Sequence, residues 1–213
     1  MFRNYFKTAL RNLWKSKGFS AINIIGLAIG LATCLLIILY VFDELGYDKY
    51  NKKASRIYRI NNDIKFGGNN FNLTQVPGVC GPALVRELPS VEQYARFRYH
   101  GSFLVKKGNT NLREQNVVYA DSTMFDVFTL PMISGDPKSA LTVPHSLVIT
   151  ETTAKKYFNR TDVAGQTMVI NDTINYKIAG VIEDIPRQSH FNFDFFVPML
   201  QDEYSRDESG WLS

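Results

Sequence analysis

Residues 19–42 read FSAINIIGLAIGLATCLLIILYVF, twenty-four positions without a charge. As a helix this stretch rises about 36 Å, enough to cross a hydrocarbon core of about 30 Å with some tilt. An apolar helix inside a soluble core usually runs to only ~10–14 residues, so the length predicts a transmembrane helix. A secretory signal has a shorter apolar core, about 7–15 residues, and a small-residue cleavage site, which does not occur before Asp43. A lipoprotein signal ending at Cys34 fits poorly. Thr33 is unsuited to the position before the cysteine, and residues 35–41 stay apolar where a mature lipoprotein turns polar.

Charge is distributed around this segment unevenly. The chain of 213 residues has 24 Lys and Arg against 20 Asp and Glu, a net charge of +4. Taken alone that excess invites a nucleic-acid reading. Residues 1–18, however, hold Arg3, Lys7, Arg11, Lys15 and Lys17 and no acid, so the other 195 residues sit at −1. Four of these bases recur every fourth residue, with Phe6, Leu10, Leu13 and Trp14 between them. On a helix this makes a basic stripe beside an aromatic one, the pattern of a segment lying in the membrane interface. Arg3, Lys7, Arg11, Trp14, Lys15 and Lys17 are the expected interfacial residues. With a span attached, lipid is the nearer anion, and nucleic acid is not expected as a partner.

Within the span, Gly26 and Gly30 stand four residues apart, a spacing that lets a second membrane helix approach closely. Gly and Ala are also simply common in membrane helices, and both readings stay open. Orientation rests on the immediate flanks. Lys and Arg balance at five each over 18 residues on either side, but Lys15 and Lys17 adjoin one end while Asp43 and Glu44 adjoin the other. The expected topology puts the N-terminus in the cytoplasm and residues 43–213 outside.

The 171 residues of that outer part are enough for a hydrophobic core. Alternating and apolar runs predict strands at 56–61, 94–99, 103–107, 115–120, 147–150, 166–170, 176–182 and 193–197. Helices are expected at 82–88, 122–128 and 152–158, with Pro82 in a first turn and Ser122 and Thr152 as N-caps. Gly67-Gly68 before Asn69-Asn70, and Asp136-Pro137, mark turns. The sum is an α+β domain, mixed and mostly antiparallel, in two lobes. The division of the chain is then 1–18 as a basic amphipathic helix, 19–42 as the span and 43–213 as the outer domain.

Catalytic chemistry finds little support. Cys34 is in the span and Cys80 beyond it, so the two cannot bridge. His100, His145 and His190 form no zinc-binding spacing. His190 and Asp194 make a weak acid–base or metal pair, outweighed by the reading of a surface histidine near a strand edge. Asp43, Glu44 and Asp48 read as a solvated turn. No G-x-S-x-G elbow accompanies Ser146, and no phosphate-binding P-loop occurs.

The order of blocks resembles a known family. FRNYFK at 2–7 runs into LRNL at 10–13 and NIIGLAIG at 23–30; YD follows at 47–48 and RIYRI at 56–60. Farther on come VITETTAKKYF at 148–158, GQT at 165–167, YKIAGVIEDIP at 176–186 and SHF at 189–191. Together they resemble the N-terminal half of an ABC transporter permease of the MacB/FtsX-like type: its first transmembrane helix and most of its MacB-like periplasmic core domain. The resemblance implies mechanotransmission, in which a separate cytoplasmic ATPase drives the outer domain through the membrane helices, for efflux or extrusion of antibiotic, toxin or lipoprotein-type substrates. It also implies the inner membrane, a second permease copy, and a periplasmic adaptor or outer-membrane partner. It carries over no catalytic, cofactor or metal residues, so the chain is not expected to be an enzyme. Family members continue into at least three further membrane helices, so the chain is expected to be a fragment, a split gene product or a partial record. The competing expectation, from another class, is a single-pass anchored binding or sensor module working without an ATPase.

Overall fold

The computed structural model describes residues 2–200, apart from the side chains of Phe2, Arg3 and Leu10. It divides into two compact units, 1–47 and 48–213; the expected end of the outer domain, 201–213, lies outside the described residues.

The first unit holds two helices, α1 (Phe2–Lys15) and α2 (Lys17–Glu44). They part at Ser16, whose backbone leaves the helical region at φ −113° and ψ 53°. α2 is long and apolar enough to cross a membrane, and none of its residues is buried. An apolar surface exposed on all sides is what a helix solvated by lipid presents.

Among the described residues the second unit carries nine strands in two sheets of unequal size, and the expected pair of lobes takes the form of this one compact unit. β1 (Asn62–Phe66) and β2 (Asn69–Leu73) form a hairpin over Gly67 and Gly68, both at positive φ as a tight turn of this kind needs. The larger sheet contains β3 (Phe97–Lys107), β4 (Thr110–Ala120), β5 (Met132–Gly135), β6 (Ser146–Thr150), β7 (Thr167–Ile170), β8 (Ile174–Ile182) and β9 (Phe195–Pro198). Its order is β5-β8-β6-β9-β4-β3-β7, with β4–β9 and β6–β8 parallel and the other pairs antiparallel. β7 pairs both with β8 and, through Ile170 and Val105, with β3, so the sheet rolls round and closes.

Both faces of this sheet are covered, which explains the unbroken apolar run in β6, buried at all five positions. Alternate residues go to opposite sides. Val117, Leu147, Ile149, Phe195 and Val197 enter one core with Phe103 and Ile170. Val118, Val148 and Phe196 enter the other, with Met124, Leu130 and Leu141. β5 crosses β8 closely at Gly135: a Cβ there would lie 2.3 Å from the Ala179 carbonyl oxygen, and its φ of 99° suits glycine alone.

Among the described residues three short α-helices accompany the sheets: α3 (Cys80–Glu87), α4 (Met124–Val127) and α5 (Glu151–Phe158). α5 begins at Glu151, its cap two residues before the expected one. Thr150, still extended, accepts from the Thr153 amide, while Thr152 is engaged instead with the Asp184 carboxylate. α4 starts later than expected, at Met124; its N-cap position is Thr123, whose hydroxyl donates to the Tyr94 carbonyl. The two strands expected at 94–99 and 103–107 are one strand, β3, irregular around Gly101. The strand expected at 56–61 is a single 3-10 turn (Ala54–Arg56) followed by extended chain.

Candidate functional site

The features that stand out in the second unit are the fastenings of its first residues. Residues 48–53, which follow α2 after a few positions, are stitched to two loops distant in sequence. Asn51 is 4% exposed. Its Oδ1 accepts from the Thr129 amide at 2.9 Å, while the Thr129 hydroxyl accepts from the Lys52 amide at 2.9 Å. This reciprocal exchange ties the buried Asn51 side chain to the half-buried Thr129, with the Lys52 amide on its exposed side. Lys53 Nζ donates to the Asp126 carbonyl at 2.8 Å, placing a cation at the C-terminal end of α4.

The second loop is 188–190. The Asp48 amide donates to the Gln188 carbonyl at 2.8 Å. The Asp48 carboxylate then accepts twice from one residue: the His190 amide at 3.2 Å and His190 Nδ1 at 2.6 Å. A carboxylate only accepts, so the proton of this pair sits on Nδ1. Asp48 holds φ 56°, a left-handed conformation that Asp tolerates better than most residues. The pair is exposed, at 40% for the Asp48 side chain and 66% for His190, and surface pairs of this sort contribute about 0–1 kcal/mol. Between Asn51 and this pair, the Tyr50 hydroxyl lies 3.2 Å from Ser189 Oγ, and its ring packs on the second core. Phe97, Phe128 and Phe191 form the adjoining aromatic bed, with centroids 5.1–5.4 Å apart in tilted and edge-on arrangements.

His190 therefore does not pair with Asp194, whose carboxylate takes Asn116 Nδ2 at 2.9 Å. Asp48 is likewise more than a solvated turn residue. Tyr47-Asp48 and Ser189-His190-Phe191 were both visible as blocks in the sequence, but nothing local relates two positions 142 residues apart. Asn51 and Thr129 carried no signal of their own.

Other polar groups build structure. Arg96 grips Asp121 through Nε and Nη2 and donates its own amide to the same carboxylate, while Nη1 reaches the Gly78 carbonyl. Glu114 accepts from Lys156 at 2.5 Å and from the Tyr157 hydroxyl. Burial, then the Glu114 hydrogen bond and charge, push the Tyr157 hydroxyl above its ordinary range. His100 packs against the Phe103 and Tyr119 rings. Among the described residues, no three His, Cys, Asp or Glu side chains gather as metal ligands.

In the first unit, Lys7, Arg11, Trp14 and Lys15 lie exposed on α1, which also contains the Arg3 backbone. Lys17, at the start of α2, holds its ammonium 5.4 Å from the Trp14 ring. Gly26 and Gly30 sit one turn apart on the exposed surface of α2.

A long apolar helix followed by a rolled α+β sheet domain, its entry segment fastened at two points, defines a membrane-anchored protein with an extracytoplasmic domain. Residues 20–211 match the model of the MacB-like periplasmic core domain, and the chain belongs to that family of ABC-type permeases. A solved domain of a permease protein from Porphyromonas gingivalis is similar at 26% identity and a TM-score of 0.56, over 64% of this chain and 59% of that one. The periplasmic region of MacB from Actinobacillus actinomycetemcomitans matches at 20% identity and a TM-score of 0.35, over 49% and 44%. The extracellular domain of the noncanonic ABC-type transporter YknZ from Gram-positive bacteria matches at 16% and 0.38, over 64% and 62%. The matched part thus spans less than two thirds of each of these structures. No curated protein matches the sequence.

Proposed function

We propose that the chain is the N-terminal part of a mechanotransmission permease, in which residues 48–53 deliver movement of the membrane helix to the rolled sheet. The observation that carries this reading is the family match over 20–211, which runs from the apolar helix through the domain that the segment is fastened to. In this reading α1 lies on the cytoplasmic face of the inner membrane, with Lys7, Arg11, Lys15 and Lys17 toward anionic headgroups and Trp14 at the interface. Gly26 and Gly30 face a neighbouring membrane helix. The chain performs no catalysis. A cytoplasmic ABC ATPase supplies the energy, a second permease copy completes the pair, and the substrate is of the antibiotic, toxin or lipoprotein type, passed to a periplasmic adaptor or outer-membrane partner.

The test has two arms in the source cell. Alkaline phosphatase fused after Ser213 should be active, whereas an inactive fusion that fluoresces as a GFP fusion would reverse the topology. The permease purified from source membranes should bring with it an ATPase carrying P-loop and ABC signature motifs. Its recovery without any such ATPase would favour the anchored sensor.

A further inference from the structure

The hairpin of β1 and β2 is a sheet of its own, paired with no other strand among the described residues. Residues opposite each other across it share a side. Ile64 and Phe66 therefore lie on one face with Phe71 and Leu73, and Asp63 and Lys65 on the other. The apolar face is uncovered, with Phe66 77% exposed. The turn at Gly67-Gly68 sets the hydrogen-bonding phase. The pair flanking a two-residue turn, Phe66 and Asn69, exchanges both backbone bonds, and bonded pairs alternate with open ones from there. Asn62, Ile64 and Phe66 thus turn their amides and carbonyls toward β2. Asp63 and Lys65 turn theirs outward along the free edge of β1, and neither side chain has an ionic or hydrogen-bonding partner among the described residues.

A free edge is a template for another strand, and its charges decide which strand fits. We propose that β1 pairs with β1 of a second copy of this chain, antiparallel about Ile64. In that register Asp63 faces the partner's Lys65, and Lys65 the partner's Asp63. The residues whose backbone groups point outward are the ones that meet, so ion pairs and ladder hydrogen bonds form together. Ile64 lies opposite its own copy in a pair without hydrogen bonds, the closer kind of contact. Sliding the register either way sets Asp63 against Asp63 or Lys65 against Lys65, which is repulsive. A strand that complements itself when reversed is what a two-fold contact between identical surfaces requires, and this favours a copy over an unrelated partner. The edge of β2 lacks the property, since Asn70 and Asn72 carry no charge. Five residues a side make a contact well below the about 1,200 Å² of stable complexes. It forms between chains that share a bilayer, where tethering raises their effective concentration. That two copies share a bilayer rests on the permease reading; the match of β1 to itself does not.

The experiment is disulfide cross-linking of the full chain in proteoliposomes, without ATPase or substrate, in a C34A and C80A background. I64C should cross-link to its own copy at least tenfold faster than F71C. Residue 71 shares the face, but its two copies would lie about 14 Å apart, three strand spacings, too far to bridge. Adding D63K or K65D to I64C should slow the cross-link at least fivefold, and D63K with K65D together should restore it. If protease resistance shows that I64C has lost its fold, D63C chains mixed with K65C chains carry the test, and should cross-link faster than either alone. Equal rates for I64C and F71C would indicate chance collision or face-to-face packing and overturn the proposal. So would a double swap that stays slow. An ATPase that fails to copurify while cross-linking holds would count against the permease reading alone. Cross-linking absent while the ATPase copurifies would overturn the strand pairing alone.

Discussion

Arg96–Asp121 and Asp48–His190 are built to one plan. In each, a carboxylate accepts from a basic side chain and also from the backbone amide of that same residue. They differ in surroundings. The Asp121 side chain is 8% exposed and that of Arg96 24%, against 40% and 66% for Asp48 and His190. The same geometry is thus a rivet where water is excluded and a catch where it is not. Dielectric and solvent competition, rather than the bonding pattern, set the strength.

Substitutions that separate the two should rank accordingly. D121A removes the acceptor of Arg96 Nε, Nη2 and amide, leaving Nη1 on the Gly78 carbonyl, and should destabilise the domain by about 3–5 kcal/mol. Pulse proteolysis of the detergent-solubilised chain across a urea series measures this, and an unchanged midpoint would break the comparison. N51A removes the Asn51 acceptor from the half-buried Thr129 amide and should cost about 0.5–1.5 kcal/mol in the same assay. Between rivet and catch stands Tyr157 with Glu114 and Lys156. The folded Tyr157 holds its proton more tightly than an unfolded tyrosine, whose ordinary value is about 10. Its contribution is complete below that pH and falls as pH rises above it, because only the unfolded chain then gains by ionising. The alkaline loss of stability should be smaller in Y157F than in wild type, and matching pH profiles would remove Tyr157 from the series. H190Q should be the mildest, below about 1 kcal/mol of global stability. A larger loss would place the catch among the rivets.

Much of the sheet was legible because it is buried. Leu147-Val148-Ile149-Thr150 falls within β6 since a strand covered on both faces must be apolar throughout, and no other element uses so short a run. The hairpin strands were not legible. Asn62–Phe66 and Asn69–Leu73 are mostly polar and exposed, and only the turn at Gly67-Gly68 signalled them. RIYRI at 56–60 has a strand's composition, yet it joins no sheet among the described residues and leaves Tyr58 80% exposed. Propensity without a partner strand decides little. β5 escaped because four residues ending in glycine carry almost no periodic signal. As for the site, Asp48 and His190 were each noticed, but His190 was matched with a carboxylate four residues away. The carboxylate it uses comes from the far end of the domain, and local spacing contains no information about that.

The distance along the chain also gives the fastenings an order in time. Asn51 waits for Thr129, 78 residues behind it, and Asp48 for His190, 142 residues behind. At synthesis rates of about 5–20 residues per second, the catch has no partner for roughly 7–28 s after Asp48 is made. Asn51 is thus able to set against Thr129 first, and Asp48 against His190 only after every described strand but β9 has been made.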